Sequence, residues 1–241
     1  MQKKPVRRAE SGSSSVAEHQ PWEVEFAQDL QGVPVLLETI LRLDLEAQEP
    51  AMDLRALSRV VLSDLGATLQ ILRLAAEQHG DAPDRPSRIE DCISALGASA
   101  CIEAVSAHAV LHDSRYSAVA ETWTHAREVA HYSRLVAEDM PDVNPDEAYL
   151  VGLLHAVGLL PGALGWTGSE RNTFDAARAG LQMARQWSLP QGAVDYFREL
   201  SQDGSETPWL EIVHKAHKLA NRSSILCPLE RGVRPLLYRA V

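Results

Sequence analysis

Apolar residues recur along most of this chain at the three- to four-residue spacing of amphipathic helices. Strict alternation of apolar and polar residues, which is typical of half-buried strands, is not sustained in any segment. The pattern therefore predicts an all-α protein.

Helix boundaries are predicted from this spacing together with local start signals. Asn144-Pro145 combines a capping side chain with a proline suited to the first turn, and Thr207-Pro208 repeats that pair. Ser87 and Glu90 have the spacing of a capping box. Helices are predicted to begin near residues 88, 145 and 208, and further helices are predicted over residues 34–47, 54–63, 66–79, 98–112, 117–139, 173–187 and 191–200.

The helix that begins at Asn144 is predicted to lie in the middle of the bundle. Its residues from Ala148 to Leu154 leave no polar stripe, and such a helix is surrounded by others. The apolar run 148–166 also contains His155, Pro161 and four glycines, so a buried helix followed by a loop is favoured over a membrane span.

A second apolar stripe, from Val33 to Leu45, is predicted to face the core rather than a partner protein. Such stripes normally point inward, because burial of their side chains is what stabilises an amphipathic helix. We therefore expect the first helix to be packed along this face.

Composition divides the chain into three parts. Residues 1–20 are polar and rich in serine and glycine, with too little apolar surface to fold alone. The folded unit is predicted over residues 22–230, with a helical subdomain at 22–112 and a bundle at 117–225, and residues 231–241 form a C-terminal appendage. The hydrophobic content of 45% over 241 residues is enough for a substantial core.

Charge and cysteine content narrow the classes of partner. The formal net charge of -10 opposes binding to nucleic acid, which requires a basic surface. Three cysteines without a Cys-x-x-Cys pair argue against a disulfide framework and a thiolate zinc site. The basic start of the chain is not followed by an apolar segment, so no signal peptide is expected. We expect a cytoplasmic protein that binds neither nucleic acid nor membrane.

Common catalytic motifs are missing from the sequence. It contains no G-x-x-x-x-G-K-[ST] loop, no G-x-G-x-x-G loop and no G-x-S-x-G elbow. The chain thus has no dedicated glycine cradle for nucleotide phosphates and no strand-borne nucleophile.

His155 is the strongest candidate for chemistry, because it lies within an apolar run from Gly152 to Gly158. A buried neutral imidazole requires hydrogen-bond partners or a metal ion. The next residue is Ala156, which has no atom that can coordinate metal. A core histidine that is satisfied by hydrogen bonds is therefore favoured over a metal ligand.

Several short segments, taken in order, follow the pattern of a known family. They are Val33–Leu36, Leu57–Asp64, Ile71–Ala75, Ile89–Gly97, Trp123–His125, Glu147–His155, Gly180 and Trp187–Pro190. Together they resemble an HDOD domain, the HD-related output domain of bacterial signalling proteins, over about residues 25–225. The resemblance implies a multi-helical HD-like bundle with an N-terminal helical subdomain packed on it.

The resemblance implies a metal pocket that has lost its carboxylates. Active HD phosphohydrolases use a first histidine, a His-Asp dipeptide and a distant aspartate. His125 matches the first histidine and His155 matches half of the dipeptide, whereas Ala156 replaces its aspartate. Ala176 stands where some relatives have a histidine, and His217 takes the place of the last aspartate.

Two further departures from the family pattern lie in the N-terminal half. The usual Asp-Pro pair reads Asp64-Leu65, and the usual Asn-Ser pair reads Ala76-Glu77. The capping or loop role that the family assigns to these positions is therefore not carried over to this chain.

Other candidate sites are weaker. His214 and His217 share one helix face, as do His108 and His112, but neither pair has an evident third ligand. The loop after His155 lacks the Gly-Tyr-Pro signature of relatives that hydrolyse cyclic dinucleotides. Trp166 lies among glycines in this loop, and it has two open roles: a docking residue for a partner, or a lid over the bundle.

The resemblance implies a role in bacterial signal transduction. Three imidazoles without a carboxylate suit magnesium, manganese or iron poorly, so no catalytic residue, metal or cofactor is expected. We expect a non-catalytic regulator that binds a signalling protein, such as a kinase, a response regulator or a cyclic-dinucleotide enzyme. The alternatives are a metal-dependent phosphohydrolase with unusual ligands, including three histidines around zinc, and a small-ligand sensor that uses the former metal pocket.

Overall fold

A computed structural model of the chain describes residues 32–49, 53–80, 85–107, 116–164, 166, 176–201 and 207–223. These residues form helices and no β-strand, which confirms the all-α prediction. The α-helices are α1 (Leu37–Gln48), α2 (Leu54–Leu62), α3 (Leu65–His79), α4 (Ile89–Leu96), α5 (Ala98–Ser106), α6 (Tyr116–Glu138), α7 (Pro145–Leu154), α8 (Leu160–Ala163), α9 (Ala176–Gln186), α10 (Gln191–Ser201) and α11 (Trp209–Ser223), with a 3₁₀ helix at His155–Leu159 between α7 and α8.

Most predicted helix boundaries agree with the structure to within a few residues, with two differences. The helix predicted over residues 98–112 ends at Ser106, and residues 108–115 lie outside the described part of the chain. The segment after His155 was predicted as a loop, but it continues as a buried 3₁₀ helix and then as α8. None of the described helices is both long and apolar enough to cross a membrane.

The cap predicted at Asn144 is present. Its side-chain oxygen accepts hydrogen bonds from the backbone N–H groups of Asp146 at 2.9 Å and Glu147 at 3.4 Å, and Pro145 is the first helical residue. These bonds satisfy donors that have no partner within the helix. The start of α7 is therefore determined by local sequence.

The other two start signals act differently from the prediction. No side chain caps α4, whose capping position is Arg88, so the capping box predicted for Ser87 and Glu90 is wrong. In α11, Pro208 accepts the first helical hydrogen bond, one residue later than predicted, and the backbone N–H of Thr207 donates to Glu199 Oε1 at 2.7 Å.

Asp64 caps α3, a role that the sequence comparison had not carried over to this residue. Its Oδ1 accepts from the backbone N–H of Ala67 at 3.1 Å and from Trp123 Nε1 at 2.8 Å. Its Oδ2 accepts from the backbone N–H of Leu36 at 2.8 Å. Burial raises the pKa of Asp64, and these hydrogen bonds act in the opposite direction. One buried carboxyl group thus connects α3 with the start of α1 and with α6.

The helices form two groups that share one core. Helices α1 to α5 pack mainly on one another, and α6 packs on α7 and α11, with α9 and α10 beside the 3₁₀ helix. Contacts between α3 and α6, and a hydrogen bond from the Tyr149 hydroxyl to the Leu62 carbonyl at 3.2 Å, join the groups. The residue limits of the two predicted subdomains stay predictions.

Helix α7 has the central place that its apolar sequence predicts. It contacts α6, α10 and α11, and its residues from Leu150 to Leu154 are buried. Helix α6 approaches it closely at Gly152, where a Cβ atom would lie 2.5 Å from Ser133 Oγ and 2.9 Å from Ala130 Cα. A residue without a side chain is therefore required at this helix crossing.

The prediction that the whole stripe from Val33 to Leu45 faces the core is wrong for three of its leucines. Leu43 is buried, but Leu37, Leu41 and Leu45 are exposed by 44%, 55% and 64%. These three residues are spaced four apart, so they lie on one face of α1. We call them the α1 leucine stripe.

Candidate functional site

Three histidines from distant parts of the chain meet inside the second group of helices. His125 lies on α6, His155 begins the 3₁₀ helix and His217 lies on α11. All three are buried, and the nitrogen atoms that they offer to a ligand lie within 4.8 Å of one another. The structure thus brings together three of the five pocket positions that the family resemblance implies.

The helical spacing of small and apolar residues directs two of these side chains inward. On α6, His125 lies three residues after the buried Thr122 and four residues before the buried Val129. On α11, His217 lies four residues after the buried Val213 and three residues before the buried Ala220. Residues three and four apart share one helix face, so each histidine extends the apolar face of its helix into the bundle.

The three rings are in mutual contact. The ring centroids of His125 and His155 are 5.5 Å apart, those of His125 and His217 are 5.0 Å apart, and those of His155 and His217 are 4.7 Å apart. The His155 ring is nearly perpendicular to the His217 ring, with an interplanar angle of 89°. The edges of the three rings, which carry the nitrogen atoms, therefore face a common small volume.

A backbone carbonyl orients His155. Its Nδ1 lies 2.5 Å from the carbonyl oxygen of Gly152. A carbonyl oxygen only accepts hydrogen bonds, so Nδ1 is the donor. In the neutral ring, the lone pair is then on Nε2. This partner is not visible in the sequence, because any residue supplies a carbonyl. A glycine within an apolar helix indicates only a close backbone approach.

The two alanine positions are buried beside this cluster. Ala156 is fully buried, and Ala176 lines a small cavity together with His155. That cavity measures about 10 Å³, close to the space that one water molecule occupies. It offers no room for a nucleotide.

The cluster does not fit the metal chemistry of active HD phosphohydrolases. In the described part of the chain, the group of potential metal ligands consists of the three histidines, with no carboxylate among them. Magnesium and manganese require mainly oxygen ligands, and carboxylates offset the charge of the metal pair in such enzymes. The described residues therefore supply no site for a hard divalent cation at this point.

The remaining candidate residues lie elsewhere or outside the described residues. His214 is half-buried and is not part of the cluster; burial and the neighbouring Lys218 lower its pKa. His108 and His112 lie outside the described residues. Trp166 is half-buried and packs against the core, with its backbone N–H donating to the Pro161 carbonyl at 2.9 Å. This position resembles the predicted lid more than an exposed docking residue.

A family model covers the part of the chain that carries two of the three histidines. The HDOD domain model matches residues 33–164, which is more than half of the chain. The chain belongs to the HDOD domain family. The match ends before α9, so His125, His155 and Ala156 fall within it, whereas Ala176 and His217 lie beyond its end.

Solved structures have the same fold as this HDOD protein. A crystal structure of the MmoQ response regulator from Methylococcus capsulatus is 22% identical, with a TM-score of 0.65, and the match covers 86% of this chain and 98% of that chain. A virulence factor from Campylobacter jejuni is 14% identical, with a TM-score of 0.56 and 83% of each chain covered. No curated protein sequence matches the chain.

Proposed function

We propose that this HDOD protein is a non-catalytic regulator in bacterial signal transduction, acting by binding a signalling protein. The observation that carries the proposal is the composition of the histidine cluster, which contains no carboxylate among the described residues. Family membership and the likeness in fold to a response regulator support a signalling role.

The chemistry of phosphoester hydrolysis explains why this composition argues against catalysis. HD phosphohydrolases need metal ions to neutralise phosphate charge and to generate a nucleophilic water molecule. Ala156 stands at the position of the carboxylate that helps to hold those metals, and it is fully buried. A neutral methyl group at this position neither binds a cation nor accepts a proton from water.

The first test is a hydrolysis assay. Protein loaded separately with magnesium, manganese, ferrous iron or zinc is expected to hydrolyse neither aryl phosphate esters nor nucleotides nor cyclic dinucleotides above the rate in buffer. Turnover that disappears in His155→Ala, but persists in His131→Ala, would refute the proposal. His131 is the matched control, because it lies on α6 but is exposed.

The α1 leucine stripe is the surface that we propose for partner binding. Leu37, Leu41 and Leu45 form a ridge of exposed apolar side chains, and contiguous exposed apolar surface commonly marks an interaction site. The exposed carboxylates of Glu38 and Asp44 flank it. Leucines flanked by carboxylates fit a partner helix that has an apolar face with basic residues at its edges.

Replacing Leu41 with aspartate is expected to weaken partner binding by at least tenfold, because a charge replaces the central apolar contact. The partner is first captured from a bacterial lysate by a photo-crosslinking residue at position 45, and its affinity is then measured by titration. Leu135→Asp is the matched control, because Leu135 is a similarly exposed leucine on α6, with 41% exposure. Equal loss or equal retention of affinity in the two variants would contradict the assignment of this surface.

One observation favours a second candidate function, a metal-dependent phosphohydrolase with unusual ligands. The convergence of three buried imidazoles is the arrangement found in catalytic sites where three histidines hold zinc and a water molecule. The same hydrolysis assay decides between the candidates, because only this one predicts turnover by the zinc-loaded protein.

A further inference from the structure

The histidine cluster differs from the metal site of active HD enzymes in the kind of ligand that it offers. It presents nitrogen atoms from three helical elements, in place of a mixed set of nitrogen and oxygen atoms. We infer that His125, His155 and His217 bind one zinc ion, which links α11 to α6 and the 3₁₀ helix as a structural cross-link. This inference goes beyond the proposed function and does not depend on it.

The donor set selects the class of cation. Imidazole suits zinc and other borderline transition metals, whereas magnesium, manganese and calcium prefer oxygen ligands. Tetrahedral zinc with bonds of about 2.0–2.1 Å holds its nitrogen ligands about 3.4 Å apart. The candidate nitrogens lie within 4.8 Å of one another, so modest ring rotations are enough to complete the site.

The hydrogen bond between His155 and Gly152 prepares the ring for metal. With Nδ1 donating to the carbonyl oxygen of Gly152, the Nε2 lone pair of the neutral ring is the one available to a cation. Histidine ligands of zinc characteristically donate their other ring N–H to a carbonyl or carboxylate, which fixes the tautomer and the orientation. This backbone carbonyl is the kind of supporting contact that the sequence did not reveal.

A small cavity lies beside His155, and neither His125 nor His217 is among the residues that line it. The cavity lined by His155 has a volume of about 10 Å³, which is the space of one water molecule. The apolar residues Leu159, Phe197 and Leu200 also line it. Three imidazoles leave the fourth position of tetrahedral zinc to a water molecule.

The positions of the ligands in the chain suggest what the ion does. His125 and His155 belong to the centre of the bundle, whereas His217 lies on α11, the last helix of the described residues. Helix α11 packs on α6. An ion bound only by the folded protein stabilises it in proportion to the logarithm of its free concentration, so zinc would fasten α11 to the bundle.

The test uses the full-length chain with a purification tag that contains no histidine. After chelator treatment and reloading with zinc, elemental analysis is expected to find about one zinc ion per chain, and the melting temperature is expected to rise on reloading. His217→Gln keeps a polar side chain of similar size and is expected to lose at least nine-tenths of the bound zinc. His214→Ala is the matched control, because it removes a histidine one turn away on α11 and is expected to retain zinc.

Two results would overturn the inference: wild-type protein that binds less than about a tenth of one zinc per chain after reloading, or folded His217→Gln protein that binds as much as wild type. If His217→Gln does not fold, the wild-type protein loaded with cobalt decides. Intense visible bands of four-coordinate cobalt support the site, and the weak bands of six-coordinate cobalt refute it. Zinc binding without hydrolysis is consistent with both the zinc site and the proposed non-catalytic function. Hydrolysis by the zinc-loaded protein would refute the non-catalytic function but would leave the zinc site supported.

Discussion

Replacing Asp64 with alanine is expected to lower the free energy of unfolding by about 4 kcal/mol. The substitution removes the acceptor of hydrogen bonds from the backbone N–H groups of Leu36 and Ala67 and from the indole N–H of Trp123, and it also removes the partner of the Thr39 side chain. Asp64 is fully buried, so water does not readily replace the lost acceptor. Each buried donor without a partner costs about 1–3 kcal/mol, and part of the helix cap is lost as well.

Chemical denaturation of the wild-type protein and of the Asp64→Ala variant measures the difference in their free energies of unfolding. Asp53→Ala is the matched control, because Asp53 caps α2 but is exposed and accepts one hydrogen bond, from the backbone N–H of Arg55. Its loss is expected to cost about 1 kcal/mol. A cost for Asp64→Ala no larger than that for Asp53→Ala would show that the buried hydrogen bonds of Asp64 contribute little to stability.

Asp64 lies between the two proposed sites, the α1 leucine stripe and the histidine cluster. Leu36 directly precedes α1, which carries the leucine stripe, and Trp123 lies two residues before His125 on α6. The hydrogen bonds of one carboxyl group therefore hold the proposed docking helix against the helix that carries the first histidine of the cluster. A displacement of α6 at Trp123 would thus be transmitted to the start of α1.

Features of the fold that depend on local sequence could be predicted. The cap at Asn144 involves donors only two and three residues away, so its signal is contained in a short segment. The central place of α7 follows from the lack of a polar face between Ala148 and Leu154. The cap that Asp64 provides is also local, because Ala67 is three residues away. Its bonds to Leu36 and Trp123 could not be predicted, because these partners are 28 and 59 residues distant and a pattern within one helix does not contain them.

The orientation of α1 shows a different limit of sequence reasoning. Leu43 and the α1 leucine stripe are the same type of residue, and periodicity alone does not distinguish leucines packed on the core from leucines that face a partner. The distinction depends on how much of the helix circumference α2 and α5 cover, which is a property of tertiary packing.

The candidate site was predictable in its residues but not in its geometry. The family resemblance picked out His125, His155 and His217, which lie far apart in sequence and meet in the bundle. The contribution of Gly152 was not visible, because its carbonyl is a backbone group and becomes an acceptor for His155 only where α7 ends and the 3₁₀ helix begins. The small size of the cavity beside Ala176 is likewise a result of packing around the alanine.

Replacing Gly66 with alanine is expected to destabilise the protein by about 3 kcal/mol, although alanine favours helix formation more than glycine does. Gly66 is the second residue of α3, two residues after Asp64, which caps the helix. A Cβ atom at this position would overlap the backbone carbonyl of Pro34, and it would lie 3.2 Å from Asp64 Oδ1. Because backbone atoms do not rotate away as a side chain does, the segment before α1 would have to move and would strain the hydrogen bond between Leu36 and Asp64.

Gly192→Ala is the matched control for this substitution. Gly192 is the second residue of α10, and a Cβ atom there would lie 2.9 Å from Val151 Cγ2 and 3.2 Å from Glu147 Oε1, which are both side-chain atoms. Side chains adjust more readily than backbone, so the better helix propensity of alanine offsets most of the crowding, and a change within about 1 kcal/mol is expected. Thermal or chemical denaturation compares the two variants. Similar stabilities would mean that the segment before α1 yields easily, and that Asp64 rather than close backbone packing holds α1 in place.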